Sequence, residues 1–201
     1  MSTHWAGGED GQSGQARKPS HGRTAVEYAV LAAVAIAVAL LIQAFLVKPY
    51  RIPSESMQDT LQIGDRVLVD RITWRFSEPE RGDVVVFHPP FEGPVLIKRI
   101  VGMPGDTLEL REGRVVLNGQ LLEEPYVRRI GETPVPTEPF GNGLPWALDA
   151  PYTVPPGNYF VMGDNRIDSG DSRDFGPVPR DQLVGSTFAR YWPPGRIGGV
   201  D

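Results

Sequence analysis

The chain contains no cysteine, so disulfides, thiolate nucleophiles, zinc–thiolate centres and iron–sulfur clusters are all excluded. Histidine is scarce. Of the three present, His4 and His21 precede a long apolar run and only His88 follows it. A Ser-His-Asp arrangement would have to be built on His88 alone, and no His-Glu-x-x-His pattern exists for a zinc peptidase. Basic residues are not in excess either: 20 Lys and Arg against 25 Asp and Glu leave a formal charge of −5. That removes the cationic footprint of a nucleic-acid binder. No internal repeat and no second apolar span is present.

Glycine and proline are plentiful. With 23 Gly and 20 Pro in 201 residues the composition favours short strands joined by turns, on an ordinary globular balance of 40% hydrophobic and 22% charged residues. Subtracting a polar N-terminal tail and an apolar run leaves about 150 residues, the size of one domain with a sizeable core.

Met1 to Arg23 is rich in Gly, Ser, Gln and charge and lacks an apolar period, which reads as a disordered tail. Ala25 to Val47 is almost wholly apolar, with Glu27, Tyr28 and Gln43 confined to its ends. As a helix it would rise roughly 35 Å, enough to cross a bilayer. Arg17, Lys18 and Arg23 precede the run and Lys48 and Arg51 follow it, a modest bias toward a cytoplasmic N-terminus. Two other readings compete. A cleaved secretory signal usually has a shorter apolar region and a small-x-small site, and none precedes Lys48-Pro49-Tyr50. A buried core helix should carry a polar stripe, and Ala29 to Ile42 has none.

Beyond the run, Pro49 and Pro53 end the helix and force an extended lead into Ser54-Glu55-Ser56-Met57. Strand chemistry marks Arg66 to Asp70, Asp83 to Phe87, Val95 to Val101 and Asn158 to Met162. Thr107 to Leu110 and Arg114 to Leu117 flank Glu112-Gly113, and Asn118-Gly119 is a strong hairpin signal. Gly131 to Pro156 is Pro-rich and weakly periodic, a long surface excursion. Lys98 stands inside the apolar run Val95-Leu96-Ile97-Lys98-Arg99-Ile100-Val101, where alternation allows either face. Taken alone it reads as a snorkelling or edge-strand lysine before it reads as a base. Likewise Ser54 and Ser56 alone read as turn residues beside proline.

Five segments in order change that reading: Ile52-Pro53-Ser54-Glu55-Ser56-Met57, Gly64-Asp65-Arg66-Val67-Leu68-Val69, Arg81-Gly82-Asp83-Val84-Val85-Val86-Phe87, Ile97 to Asp106, and Gly163 to Arg173. Behind an apolar span, this set resembles the motif boxes of the bacterial type I signal peptidase family. The resemblance runs from the span to about Arg190. It implies a mainly β fold: one N-terminal transmembrane helix, then a β-barrel or coiled-sheet catalytic domain with a small β-hairpin lobe. The expected organisation is a cytoplasmic tail (1–24), the span (25–47), an extracytoplasmic peptidase domain (48–195) and a C-terminal tail (196–201). Within the domain, 106–156 forms a reduced second lobe and the Pro-rich excursion.

By the same resemblance the chain is a serine endopeptidase of the plasma membrane that cleaves secretory preproteins after Ala-x-Ala-type sites. Ser56 is the nucleophile and Lys98 the general base, a role that needs its pKa lowered by burial. Ser169 orients the lysine, and the Ser54 hydroxyl with the Ser56 N–H stabilises the oxyanion. Asp171 and Arg173 pair and brace the active-site loop, with Asp164 and Arg166 as further braces. Tyr50, Ile52, Pro53, Met57 and Ile97 are candidate walls of the substrate pocket or else ordinary core. Asp168 stands where asparagine is common in the family; pointing inward it would raise the pKa of Lys98, and facing solvent it would matter little. No cofactor, metal or nucleic acid is implied. The partners are preproteins and the lipid bilayer, with a secretion translocase left open. Two alternatives remain: a self-cleaving Ser-Lys protein of the related repressor-type fold, and an anchored non-catalytic β-domain that binds secreted partners.

Overall fold

The structure, a computed structural model, describes residues 21–45 and 47–200, with side chains at all of these except 21–23, 41–45, 73 and 75. It divides into two units, Met1–Leu40 and Leu41–Asp201. Most of the expected tail, residues 1–20, lies outside the described residues.

Helix α1 spans His21–Phe45. It therefore begins at His21 rather than Ala25 and ends at Phe45 rather than Val47. Every described side chain from Thr24 to Leu40 is exposed, among them Val26, Leu31, Val34, Ile36 and Leu40. Among the described residues no helix is long and apolar enough to cross a membrane. The side chains described on α1 cover a rise of only about 26 Å, against about 30 Å of bilayer core.

The second unit is mainly β. Its strands are β1 (Val47–Arg51), β2 (Arg66–Asp70), β3 (Val84–Phe87), β4 (Leu96–Gly102), β5 (Thr107–Arg111), β6 (Arg114–Leu117) and β7 (Gln120–Leu121). They continue as β8 (Arg129–Ile130), β9 (Thr133–Pro134), β10 (Tyr152–Thr153), β11 (Asn158–Met162), β12 (Val178–Pro179), β13 (Leu183–Trp192) and β14 (Gly198–Gly199). The short helices α2 (Thr73–Phe76) and α3 (Ser172–Phe175) lie between them in sequence. The main sheet is antiparallel in the order β1-β2-β13-β3-β4-β11-β12, with β14 beside β13. Bulges at Leu183/Gly185, Thr187/Ala189, Arg190/Trp192 and Phe160/Val161 increase its twist and coil it. Pro49, which has no N–H to give, is tolerated because β1 is an edge strand.

The ten-residue β13, which no sequence signal marked, is the centre of this sheet. Its Gly185 is obligatory for packing: a Cβ there would lie 2.2 Å from the Asp70 carbonyl oxygen. A second sheet, β10-β5-β6-β7, forms the expected hairpin lobe. Its turns use Glu112-Gly113 (φ 51° and 73°) and Asn118-Gly119 (φ 52° and 82°), the left-handed pairs that suit two-residue hairpins.

The Pro-rich segment lies mostly at the surface but is tied down at a few points: Val135, Ala147, Leu148 and Val154 are buried, and Leu148 and Val154 join the core of Val101, Leu108, Phe160 and Met162. Within 196–200, Gly198 and Gly199 pair with Arg190 and Ala189, and Val200 packs with Ile52, Met57 and Leu61. Apolar side chains at these positions gain more from burial than an extended tail would keep in chain entropy.

Candidate active site

Ser56 sits on a tight loop fixed at both ends. The Ile52 N–H donates to Asp65 O at 2.9 Å and the Gly64 N–H to Ile52 O at 2.9 Å, closing the loop base. Ile52, Met57 and Leu61 are buried in one cluster and pull the loop onto the sheet, leaving Ser54 and Glu55 exposed and Ser56 half-buried. From the other side Asn165 holds it: its N–H donates to Ser56 O at 3.1 Å and its side-chain amide to Glu55 O at 3.2 Å.

Lys98 is only 3% exposed on β4, opposite Val85 of β3. Burial lowers its pKa from 10.5 to about 8, as the ammonium is costly to desolvate. Asp171 opposes this, Arg173 assists it, and Asp164 and then Asp168 oppose it more weakly. Asp168 itself is exposed, so its upward influence is exerted from the solvent side.

Ser56 and Lys98 line one cleft of about 210 Å³. All five sequence-derived wall residues, Tyr50, Ile52, Pro53, Met57 and Ile97, line it too, along with Ser54. Ile52 and Met57 therefore serve as core and cleft floor at once. The Ser56 hydroxyl lies 3.3 Å from that of Ser54, and among the described residues it has no hydrogen bond to Lys98. Among the described residues the buried Ser169 hydroxyl has no hydrogen-bond partner, so here it is not bonded to the Lys98 amine. His88 lies apart from this cleft, in another pocket with Arg71 and Arg180.

The loop from Gly163 to Arg173 backs the site. Asp171 and Arg173 form a buried two-pronged pair, at 2.9 Å from Nε to Oδ1 and 2.8 Å from Nη2 to Oδ2. Asp171 also accepts the Gly163 N–H at 3.1 Å and caps α3 by accepting the Arg173 N–H. Asp164 and Arg166 brace the loop, but not with each other. Asp164 receives a fork from Arg99 at 2.9 Å on each prong and the Thr60 hydroxyl at 2.6 Å. Arg166 grips Glu124, Thr137 and the Gly163 carbonyl.

Sequence reasoning missed four supporting residues: Arg99, Thr60, Asn165 and Gly163. For the first three no periodic signal exists, because their partners are remote in the chain. Gly163 had a steric signal that only coordinates reveal: a Cβ there would meet Ser169 Oγ at 2.2 Å and Ser56 O at 2.4 Å. The missing side chain at Gly163 thus leaves the space in which the nucleophile loop and Ser169 come together.

The cleft offers a hydroxyl, a second hydroxyl beside it and a desolvated amine, the parts of a serine–lysine acyl-transfer site. Comparison with known proteins identifies the family. The family profile "Signal peptidase, peptidase S26" matches residues 25–192. Signal peptidase I of Leptolyngbya laminosa is 38% identical over 173 residues, covering 82% of this chain and 78% of that protein. Probable signal peptidase I-2 of Synechocystis sp. is 39% identical over 170 residues, covering 82% and 72%. Signal peptidase IB of Staphylococcus aureus is 37% identical over 173 residues, covering 84% and 90%. Over nearly the whole of its folded length, therefore, the chain belongs to the signal peptidase family, peptidase S26.

Proposed function

We propose that this serine peptidase cleaves signal peptides from secretory preproteins after Ala-x-Ala-type sites, with Ser56 as nucleophile and Lys98 as general base. The observation that carries the reading is the buried amine, with a pKa of about 8, on the same 210 Å³ cleft as Ser56. Neutral Lys98 takes the Ser56 proton as Oγ attacks the scissile carbonyl carbon. The oxyanion that forms is met by the Ser56 N–H and the Ser54 hydroxyl. Lys98 then protonates the departing amine, leaving an ester on Ser56, and a water deprotonated by Lys98 releases the signal peptide. Ser169, with its free hydroxyl, orients the amine once substrate expels water from the cleft. Tyr50, Ile52, Pro53, Met57 and Ile97 form walls close enough to accept alanine and refuse larger side chains.

The anchor is the apolar run Ala25–Val47, which continues past the described side chains of α1 and makes this a single-pass protein of the cell membrane with a cytoplasmic N-terminus. Ser56 follows Phe45 by only eleven residues, so the nucleophile is tethered where a translocated signal peptide emerges. The test is cleavage of a preprotein by the full chain in detergent. Ser56→Ala and Lys98→Ala should each abolish processing, and wild-type rates in either variant would refute the dyad.

A further inference from the structure

A second pocket, of about 420 Å³, adjoins the catalytic cleft, and Tyr50 and Val95 line both. Its polar lining is cationic: Lys48, Arg71 and Arg180 with His88, against the single carboxylate of Asp181. None of the three fixed cations has an ion-pair partner among the described residues. Arg180 donates only to neutral carbonyls, those of Trp74 at 2.6 Å and Ser77 at 3.3 Å. Lys48 lies 5.2 Å from the Tyr50 ring, and Arg71 makes no hydrogen bond or ion pair among the described residues. Trp74, 5% exposed, lines the same pocket with an indole N–H that is buried and has no acceptor among the described residues. Three cations against one carboxylate, beside an unsatisfied donor, are stabilised by an anion rich in acceptor oxygens.

The neighbourhood narrows the source of that anion. Phe76, on α2 with Trp74 but not among the pocket's lining residues, is 87% exposed, apolar surface on the same short helix that a bilayer would cover and a free ion would not. Lys48 follows the last residue of α1 by three positions, so membrane anchoring through that helix would keep it at the headgroup level. We propose that this pocket binds the phosphate of an anionic phospholipid headgroup beside the catalytic cleft. The inference rests on the membrane anchoring proposed above. Phosphate oxygens engage Lys48, Arg71, Arg180 and the Trp74 N–H.

Calorimetric titration of the full chain in a nonionic detergent tests it, with dihexanoyl-phosphatidylglycerol, dihexanoyl-phosphatidylcholine, inorganic phosphate and a short acidic peptide as probes. Phosphatidylglycerol should bind about tenfold or more tighter than each of the other three. Arg71→Glu should weaken it by a similar factor without altering thermal stability, because Arg71 makes no hydrogen bond or ion pair among the described residues. Equal binding of the two lipids, or an unaffected Arg71→Glu, overturns the pocket. Inorganic phosphate binding as tightly as lipid overturns the lipid source, and preference for the peptide transfers the pocket to substrate. Preprotein cleavage and alkaline extraction from membranes are measured on the same protein. Loss of cleavage in the wild type would sink the peptidase reading, and extraction by alkali would sink the anchor. A processing, membrane-integral protein that is blind to headgroup charge sinks the pocket alone.

Discussion

Replacing Lys98 by methionine should make the protein inactive and more stable. The gap between the ordinary lysine value of 10.5 and about 8 measures what the fold spends on burying this amine. At about 1.4 kcal/mol per pH unit it comes to about 3 kcal/mol. The side chain is almost fully buried, so solvent screening takes little from that figure. The sign follows from proton counting. Below pH 8 the lysine is charged in both folded and unfolded chains, and the folded chain bears the whole desolvation cost. Between about 8 and 10.5 the unfolded chain binds the extra proton, so wild-type stability climbs with pH. Above 10.5 the cost has vanished. Methionine has similar length and no charge, so Lys98→Met should be more stable by about 3 kcal/mol at pH 6 to 7, or roughly 6–12 °C in Tm. That advantage should shrink by about 1.4 kcal/mol per pH unit from pH 8 upward. Urea unfolding of the full chain in detergent, followed by tryptophan fluorescence at stepped pH, measures it. A methionine variant no more stable than wild type at pH 6, with a difference that does not change with pH, would refute the claim that the amine is held desolvated.

Activity should follow the same group: kcat/KM should rise about tenfold per pH unit below 8 and level off above it, since only neutral Lys98 accepts a proton. A profile flat from pH 6 to 9 would exclude it as base. Gly163→Ala should lower kcat about a hundredfold and cost about 1–3 kcal/mol, because its methyl group would displace the Ser56 carbonyl and Ser169. Gly195→Ala, with nothing within 4 Å of the added carbon, is the neutral control, and equal cleavage and Tm in the two variants would disprove the steric argument. Ser54→Ala should reduce kcat about a hundredfold while leaving KM and thermal stability near wild type, as Ser54 is exposed. A raised KM with unchanged kcat would make Ser54 a binding residue instead.

Local chemistry was legible in the sequence wherever a few adjacent residues decide the outcome. β2 and β11 fall at the expected residues, and the Glu112-Gly113 and Asn118-Gly119 turns adopt the left-handed geometry their composition favours. The cleft walls were legible for a related reason: Tyr50 to Met57 and Ile97 flank the reacting groups in the chain itself. β13 was not, because Gly185, Ser186 and three register shifts interrupt its apolar alternation, and its role depends on the backbone of Asp70. The bracing network was invisible because its bonds span great lengths of chain: 65 residues from Arg99 to Asp164, 104 from Thr60 to Asp164, 42 from Glu124 to Arg166. Asp164 and Arg166 stand two apart in one motif, yet each takes a different, distant partner.

That partition of charges explains how a lysine can stay weakly basic in a region rich in carboxylates. A buried ammonium beside a free carboxylate would form an ion pair and become a poorer proton acceptor. Each buried carboxylate near Lys98 is already occupied: Asp171 by the Arg173 fork and Asp164 by the Arg99 fork. Against the upward push of burial, the hydrogen bonds and charge of Arg173 keep the Asp171 carboxyl below its ordinary value, so it remains an anion committed to arginine. Lys98 therefore feels Asp171 and Arg173 in opposite directions, and burial prevails. Asp168 is the exception, a carboxylate of the same loop with no hydrogen bond or ion pair among the described residues, and its exposure lets water screen it. In the proposed mechanism the arginines therefore assist Lys98 without approaching the substrate, by denying the lysine its counter-ion.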